Sequence, residues 1–476
     1  QLHRSSHLSP RQEVALNLRP SEARSPTMEA FSSAPLETWA VAPTGEVRSR
    51  IGALASRLAS GACVEFAAYG GSVVAGVGCC AGQRLACSAA EHQNCSFASR
   101  FVQQLRDDGA CVTGRNLAVG ASTTASSVGM LSHMPAGLAA PSLVMVDFSV
   151  NDIYDTAAAR MVAATEVWLR VLLRLAPHVV PLLVETFPGL CSCAAASSAD
   201  GCSPQHAQKE AIARHYGVPV LSYWRLVPGW YACKGRAGNA SREPWWPRAT
   251  APDMRRPRPL NTPWAAYRHP FAPTHELIKD ALTVAWRAWM RDAATADGAS
   301  TDGGATPAAA PRRQEWHQLP PPLSDANALH RVGYCDAPST SYGAASGMAP
   351  GVRTDGGWSH VEDVPGKPGF VSAGAAGSWL AFDLQFGAAR ANFYQLLYLQ
   401  GYDINGTVRV EVLRAGGGGR PLHGATLHAA RRDSERVTQA AVYTSERLAA
   451  PANATLVLNA TLVGGNKFKF LSVLAC

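Results

Sequence analysis

Five continuous apolar runs alternate with helical patterns over residues 48–292, and this alternation limits the fold more than any other feature. The runs occupy residues 63–69, 115–119, 142–149, 179–187 and 218–224. Strands that are apolar throughout are buried on both faces, and a helix between consecutive strands lets them pair in parallel. The pattern predicts an α/β fold with a flavodoxin-like, doubly wound, five-stranded parallel sheet. Ligands of such sheets bind at the carboxyl ends of the strands.

The periodicity changes in the last third of the chain. Residues 293–325 are rich in Ala, Gly and Pro and have the composition of a linker. Strand-like runs separated by Gly-rich turns follow at residues 378–386, 393–402, 407–413, 454–463 and 467–474. Many short strands of this kind are typical of a β-sandwich. We therefore expect an extended N-terminal arm (1–47), an α/β domain (48–292), a linker (293–325) and an all-β sandwich accessory domain (326–476).

Charge and hydropathy exclude two kinds of partner. The net charge is +8, but the basic residues are scattered and do not interleave with aromatic residues, so we expect no nucleic-acid partner. No run of 18 or more apolar residues occurs, so we expect no membrane span. The sequence starts at Gln1 without a Met, as a mature chain does after loss of a signal peptide.

The cysteines and the N-glycosylation sequons indicate an oxidising, extracellular setting. The chain has 12 cysteines without a C-x-x-C pair, so we expect disulfides rather than a bound metal. Cys335 and Cys476 bracket the β-domain, and we expect them to pair with each other. The sequons lie at Asn94, Asn239, Asn405, Asn453 and Asn459. We expect a secreted or cell-surface glycoprotein, which includes association with the extracellular matrix.

Residues that could take part in catalysis follow three of the apolar runs, and one more such residue precedes the last helix. In chain order they are Gly71-Ser72, Gly120, Asn151 and His269-Pro270. In a doubly wound sheet such strand ends converge on one crevice. A serine there becomes nucleophilic beside a base, and an amide side chain stabilises an oxyanion without changing its own charge. Taken singly, Ser72 also fits a helix N-cap and Asn151 an Asx turn.

The order and spacing of these residues resemble the SGNH hydrolases, the GDSL-like esterase superfamily. The matches are Gly71-Ser72 to the first block in its GGS form, Gly120 to the second, Asn151 to the third and His269-Pro270 to the fifth. The resemblance covers roughly residues 60–292 and implies that Ser72 is the nucleophile and His269 the general base. It also implies an oxyanion hole formed by the N–H groups of Ser72 and Gly120 and by the Asn151 side chain. It implies neither a cofactor nor a metal.

The sequence departs from the family pattern at one position. The family has an Asp three residues before the catalytic His, and this chain has Ala266 there. Such an Asp orients the imidazole and stabilises its charged form. Three alternatives remain open: a backbone carbonyl near Trp264 or Ala266 orients His269, Asp253 replaces the missing carboxylate, or catalysis has been lost. His275 is an alternative base.

The segment after His269 has the pattern of an amphipathic helix that packs on the sheet. Its apolar residues recur at intervals of three and four: Leu277, Ile278, Ala281, Leu282, Ala285, Trp286 and Trp289. The loop before His269 contains other aromatic residues, at Trp245, Trp246, Trp264 and Tyr267. These aromatic side chains are candidates for stacking on a sugar ring, and packing within the loop is the alternative.

Together these features predict a secreted serine esterase of the SGNH type. It is expected to remove O-acyl groups from a glycan, and acetyl is the expected acyl group. A glycan or another acyl ester is therefore the expected partner. The glycan is inferred from the extracellular setting and the appended β-sandwich. Two alternatives are kept: an O-acyltransferase that uses the same nucleophile on glycans, and a non-catalytic extracellular or cell-surface glycoprotein with a degenerate SGNH core.

Overall fold

The computed structural model describes most of the chain as separate segments. They are residues 26–79, 89–131, 142–152, 158–176, 178–186, 204–226, 264–265, 269–270, 272–298, 319–325, 329, 340–343, 347–363, 368–372, 374–386, 392–401, 403–416, 419–430, 438–449 and 454–476. The segments group into two compact units. The first contains the described residues of 1–120, 136–153 and 172–321, and the second contains those of 121–135, 154–171 and 322–476.

A mainly parallel sheet forms the centre of the first unit. Its described strands are β1 (Ala40–Val41), β2 (Val64–Gly70), β3 (Val112–Asn116), β4 (Ser142–Asp147), β5 (Val180–Glu185) and β6 (Val220–Ser222). The strand order is β1-β6-β5-β4-β2-β3, with β2 to β6 parallel and β1 antiparallel to β6. Without β1 this is the 2-1-3-4-5 order of flavodoxin-like sheets. The predicted parallel α/β core is therefore present, and β1 is an additional edge strand.

Helices follow the strands along the chain. They are α1 (Pro26–Ser33), α2 (Gly45–Ala59), α3 (Ala89–Cys95), α4 (Phe97–Asp107), α5 (Thr124–Leu131), α6 (Ser149–Asp152), α7 (Ala158–Leu175), α8 (Pro204–His215), α9 (Tyr223–Leu226) and α10 (Ala272–Gly298), with a short 3-10 helix at Leu36–Thr38. Two short strands, β7 (Trp264–Ala265) and β8 (His269–Pro270), pair with each other before α10. The apolar face predicted for α10 is confirmed, because all seven of its residues are at most 5% exposed. The helix continues to Gly298, past the boundary predicted at residue 292.

The prediction of an extended arm is wrong for residues 26–47. This segment contains α1, the 3-10 helix, β1 and the start of α2. Phe31, Trp39 and Val47 are buried, which anchors the segment in the apolar core of the first unit. The apolar residues are too widely spaced for a periodic pattern, so the sequence did not indicate these elements. Residues 1–25 lie outside the described part of the chain.

The strand predicted at residues 115–119 begins and ends three residues earlier, as β3. The Asn116 side chain ends it: Nδ2 donates to the carbonyl oxygen of Val74 at 2.7 Å, and Oδ1 accepts from the N–H of Ala118 at 3.1 Å. β3 is an edge strand with mostly exposed residues. The apolar run therefore lies at the end of the strand and not within it.

The second unit contains two antiparallel sheets. Its described strands are β9 (Thr340–Tyr342), β10 (Val352–Thr354), β11 (Trp358–Val361), β12 (Gly369–Ser372), β13 (Trp379–Gln385), β14 (Tyr394–Gln400), β15 (Thr407–Arg414), β16 (His423–His428), β17 (Gln439–Thr444), β18 (Thr455–Gly464) and β19 (Phe468–Ala475). One sheet has the order β10-β13-β18-β15-β16, and the other has the order β11-β12-β19-β14-β17 with β9 paired to β19.

The two antiparallel sheets share one apolar core. Val408, Val410 and Val412 alternate with more exposed residues along β15 and are fully buried. The rings of Phe382 and Phe470, which belong to different sheets, meet edge to face at 6.4 Å. The all-β sandwich predicted for the C-terminal region is thus present. The sequence pattern did not predict strands such as β16 and β17. Most of their side chains are small or polar, and their apolar residues do not alternate clearly.

The second unit also includes chain segments that precede the predicted sandwich domain. α5 and residues 158–171 of α7 group with it. The N–H of Ala440, in β17, donates to the carbonyl oxygen of Ala121 at 3.0 Å. The predicted domains, 48–292 and 326–476, are each one continuous stretch of sequence. Each compact unit instead combines several separate stretches. Within the part of the chain that the structure describes, no helix is both long enough and apolar enough to cross a membrane.

Candidate active site

Ser72 lies just beyond the carboxyl end of β2, at the start of a series of turns. The backbone before it is closely packed, because a Cβ at Gly70 would lie 2.5 Å from the carbonyl oxygen of Asp147. The N–H of Gly71 donates to the same carbonyl at 3.1 Å. The two glycines thus let the ends of β2 and β4 approach each other, and Ser72 occupies the edge of the sheet where ligands of this fold class bind.

His269 contacts Ser72 directly. Its Nε2 atom lies 2.8 Å from Oγ of Ser72. His269 belongs to β8, which pairs with β7 shortly before α10 begins. In this geometry the imidazole can accept the hydroxyl proton. Ser72 is 8% exposed and His269 is half-buried, so the serine hydroxyl is largely shielded from water while the imidazole is partly accessible.

Gly120 and Asn151 follow the two strands that flank β2. The N–H of Val119 donates to the carbonyl oxygen of Gly70 at 2.9 Å, which places Gly120 beside the end of β2. Asn151 lies in α6, directly after β4, and is 7% exposed. Because β3, β2 and β4 are parallel neighbours, the segments that carry Gly120, Ser72 and Asn151 leave the same edge of the sheet.

The alternative base, His275, has a different role. It is completely buried, and its Nδ1 atom accepts a hydrogen bond from the N–H of Phe97 at 3.1 Å. Its ring stacks on that of Phe97 with a centroid distance of 6.0 Å. Burial, then the nearby charges of Arg100 and His269, lower the pKa of His275 to about 3. A neutral histidine that supplies an acceptor to the first residue of α4 is a structural group.

Asp147 ends β4 and holds the start of α6. Its Oδ1 atom accepts from the N–H of Ser149 at 2.8 Å, and its Oδ2 atom accepts from Oγ1 of Thr186 at 2.5 Å. Burial and then the negative charge of Glu185 raise the pKa of Asp147 to about 6, although the hydrogen bonds from Ser149 and Thr186 lower it. This carboxyl group lies four residues from Asn151 and was not among the predicted site residues.

A buried cluster of charged side chains joins the other end of α6 to β5 and α8. Nζ of Lys209 lies 2.7 Å from Oδ2 of Asp152 and 3.2 Å from Oε1 of Glu185. Nδ1 of His206 lies 2.5 Å from Oε2 of Glu185. The predicted site residues did not include this cluster. A helical spacing of three between His206 and Lys209 was the available signal, since it puts both on one face of α8.

The described cysteines are all disulfide-bonded. Cys63–Cys111 joins the residues that precede β2 and β3, and Cys79–Cys95 joins the turns after Ser72 to the end of α3. Cys476 is also disulfide-bonded. Its predicted partner, Cys335, lies outside the described residues, as do Cys80, Cys87, Cys191, Cys193, Cys202 and Cys233.

Several other predicted residues also fall outside the described part of the chain. They are Ala266, Tyr267, Asp253, Trp245, Trp246, Asn239 and Asn453. The backbone of Trp264 lies opposite Pro270 in the β7–β8 pair, and its side chain is not described. Among the remaining sequons, Asn94 and Asn405 are exposed and Asn459 is half-buried. The described segments contain no cluster of three or more His, Cys, Asp or Glu side chains suited to a metal ion.

Comparison with known proteins yields distant structural likenesses. No family model and no curated protein matches the chain. The psychrotrophic esterase EstA from Pseudoalteromonas sp. is similar over 48% of this chain and 98% of its own, with 12% identity and a TM-score of 0.31. The CBM36-1 domain of a xylanase from the hindgut metagenome of Trinervitermes trinervoides is similar over 29% of this chain and 95% of its own, with 11% identity and a TM-score of 0.20.

A family two carbohydrate esterase from Cellvibrio japonicus is also similar, over 29% of this chain and 33% of its own, with 12% identity and a TM-score of 0.19. All three TM-scores are low. The functional assignment therefore depends on the geometry of the site.

Proposed function

We propose that this chain is a serine esterase of the SGNH type. The observation that carries the proposal is the 2.8 Å separation of Nε2 of His269 and Oγ of Ser72. These residues are far apart in sequence, and they meet at the edge of a parallel sheet where ligands bind. The flanking segments with Gly120 and Asn151 leave this same edge, which supports these two residues as the proposed donors for an oxyanion.

In the proposed reaction, Oγ of Ser72 attacks the acyl carbonyl carbon while Nε2 of His269 takes the hydroxyl proton. The carbonyl oxygen becomes an oxyanion that accepts hydrogen bonds from the N–H groups of Ser72 and Gly120 and from the Asn151 amide. His269 then gives its proton to the leaving alcohol oxygen, and the acyl group remains on Ser72. A water molecule then attacks the acyl carbon while His269 takes one of its protons. The bond between the acyl carbon and Oγ breaks, His269 returns the proton to Oγ, and the carboxylic acid leaves with the serine restored.

The proposed substrate is an O-acylated glycan outside the cell, and the proposed acyl group is acetyl. Three disulfide-bonded regions, two exposed sequon asparagines and an appended β-sandwich support this setting. Ala266 replaces the usual carboxylate partner of the histidine, so the imidazolium is less stabilised than in a full triad. We therefore propose low but measurable turnover of small acetyl esters.

The deciding experiment combines a fluorophosphonate probe with hydrolysis of p-nitrophenyl acetate and of an acetylated polysaccharide. Ser72→Ala is expected to abolish both labelling and hydrolysis. Ser49→Ala is the matched control, because Ser49 is an exposed serine of α2, and it is expected to behave like the wild type. Acyl consumption that requires a glycan acceptor would indicate a transferase instead. Absence of both labelling and turnover in the wild type would contradict the proposal and favour a non-catalytic glycoprotein.

A further inference from the structure

Lys209 is a buried lysine that joins three elements next to the candidate active site. It belongs to α8, and its ammonium group contacts Asp152 of α6 and Glu185 of β5. The three side chains are only 4%, 2% and 6% exposed. We propose that Lys209 is a positioning residue that fixes the oxyanion donor Asn151 by holding Asp152. This inference rests on the proposed function for the role of Asn151.

Asn151 depends on its neighbours because α6 has only four residues. A single helical turn is not stable by itself, since the cost of nucleating it is not recovered by further hydrogen bonds. The N–H groups of Asn151 and Asp152 both donate to the carbonyl oxygen of Phe148 at 3.0 Å. At its start, α6 is held by the bond from Ser149 to Asp147. Lys209 holds the other end, so Asn151 lies between two anchored carboxyl groups.

The charges in the cluster explain why the anchor is strong. Burial lowers the pKa of Lys209, but the carboxylates of Asp152 and Glu185 outweigh burial and raise it above the usual value. Burial raises the pKa of Glu185, but Lys209 and His206 outweigh it and lower this pKa to about 2. Lys209 is therefore charged at any pH at which the protein works. An ammonium group between two carboxylates in a low-dielectric interior resists displacement.

A second buried lysine provides a matched control. Lys279 of α10 has a side chain that is 8% exposed, and its Nζ atom lies 2.6 Å from Glu276 and 2.5 Å from Asp280. It is thus also a buried lysine between two carboxyl groups, although Glu276 is 44% exposed. Neither of its partners is adjacent in sequence to a proposed catalytic group. Lys209→Met and Lys279→Met therefore both remove a buried charge, and only the first releases Asp152.

The test measures ester hydrolysis and amide hydrogen exchange in the full chain. For Lys209→Met we expect kcat to fall about ten- to a hundredfold with little change in KM, as for a misplaced oxyanion donor. Exchange at Asn151 and Asp152 is expected to become faster. Lys279→Met is expected to lower stability while leaving kcat and the exchange of residues 149–152 near wild-type values. If Lys209→Met does not fold, Asp152→Asn makes the same test, because it keeps the side-chain size and weakens the anchor.

Two results separate this inference from the proposed function. Wild-type kcat and wild-type exchange at residues 149–152 in Lys209→Met would overturn the positioning role, even with a fully active esterase. If the wild type hydrolyses no ester, the proposed function fails, and hydrogen exchange alone still decides whether Lys209 fixes Asn151. An equal fall in kcat for Lys209→Met and Lys279→Met would show a general loss of stability and would also overturn the inference.

Discussion

Gly78 packs directly against His269. A Cβ at position 78 would lie 2.8 Å from Cβ of His269 and 3.1 Å from the carbonyl oxygen of Pro270. Gly78 also has a φ of +90°, in the region that favours glycine. The turns that follow Ser72, the proposed nucleophile, therefore pack against His269, and the absence of a side chain at position 78 lets the two segments approach.

Gly78→Ala is expected to displace His269 and lower esterase turnover at least tenfold, because a shift of about 1 Å in a catalytic group has effects of up to about a hundredfold. The control is Gly109→Ala, since Gly109 has the same φ of +90° but no atom within 4 Å of the position that a methyl group would take. Both substitutions should cost about 1–2 kcal/mol of stability through backbone strain. Turnover assays with thermal unfolding check this, and equal activity of the two variants would contradict it.

The two histidines near the start of α10 are expected to respond differently to substitution. His269→Ala removes the proposed base and should lower kcat by about 10²–10⁴. His275→Phe leaves the N–H of Phe97 without its acceptor, so it should cost about 1–3 kcal/mol in the free energy of unfolding and leave turnover near the wild-type value. Steady-state kinetics and urea unfolding distinguish the two effects. Loss of turnover in a stably folded His275→Phe variant would point to His275 as the base.

The two described disulfides of the first unit lie at opposite ends of β2. Loop-closure entropy predicts that loss of Cys79–Cys95, with a separation of 16 residues, costs about 3 kcal/mol. Loss of Cys63–Cys111, with a separation of 48, costs about 4 kcal/mol. We expect the double Ser variant of Cys79 and Cys95 to lose more activity, because Cys79 adjoins Gly78 and the turns after Ser72. The reverse order of activities would count against this support of the site.

Asp147 should make the protein less stable as the pH rises. Burial raises its pKa to about 6, above the unfolded value of 3.8. Between these values the folded state binds more protons than the unfolded state, so the contribution of Asp147 to stability falls from about pH 4 to pH 6 and is constant above. The shift corresponds to about 3 kcal/mol. Urea unfolding of the wild type and Asp147→Asn from pH 4 to 8 measures this contribution. The same change in the free energy of unfolding with pH in both proteins would contradict the prediction.

The sequon asparagines are expected to differ in glycan occupancy. Asn94 and Asn405 are exposed, and Oδ1 of Asn405 accepts from the N–H of Asn466 at 3.0 Å, which leaves its side-chain nitrogen outside that bond. Asn459 is half-buried in β18, between β13 and β15. Glycopeptide mass spectrometry of secreted protein should find sugars at the first two sites and little at Asn459. Asn405→Gln is the control, because it removes one sequon and should remove the sugar at that site alone. Full occupancy of Asn459 would refute the expected order.

The sequence alone determined the α/β and all-β architectures of the two main regions and the edge of the sheet where the candidate site lies. Hydrophobic periodicity is a local property, so continuous apolar runs separated by helices predict a parallel sheet without knowledge of any contact. The same rule places Ser72, Gly120 and Asn151 at one edge, because each follows a strand. Hydrophobic periodicity locates a strand less accurately where the strand is only partly buried. The edge strand β3 has exposed residues, and the apolar run used to locate it lies beyond its end.

Only the tertiary structure decided which distant side chains meet. Ser72 and His269 are separated by 197 residues, and Asp152 and Lys209 by 57. Their contacts depend on how β8 and α8 pack, and no local pattern encodes that packing. The choice between His269 and His275 is of the same kind, because six residues of sequence separate a histidine that faces Ser72 from one that is buried against Phe97. Residue type determines the chemistry available to a side chain, and packing determines which partner it has.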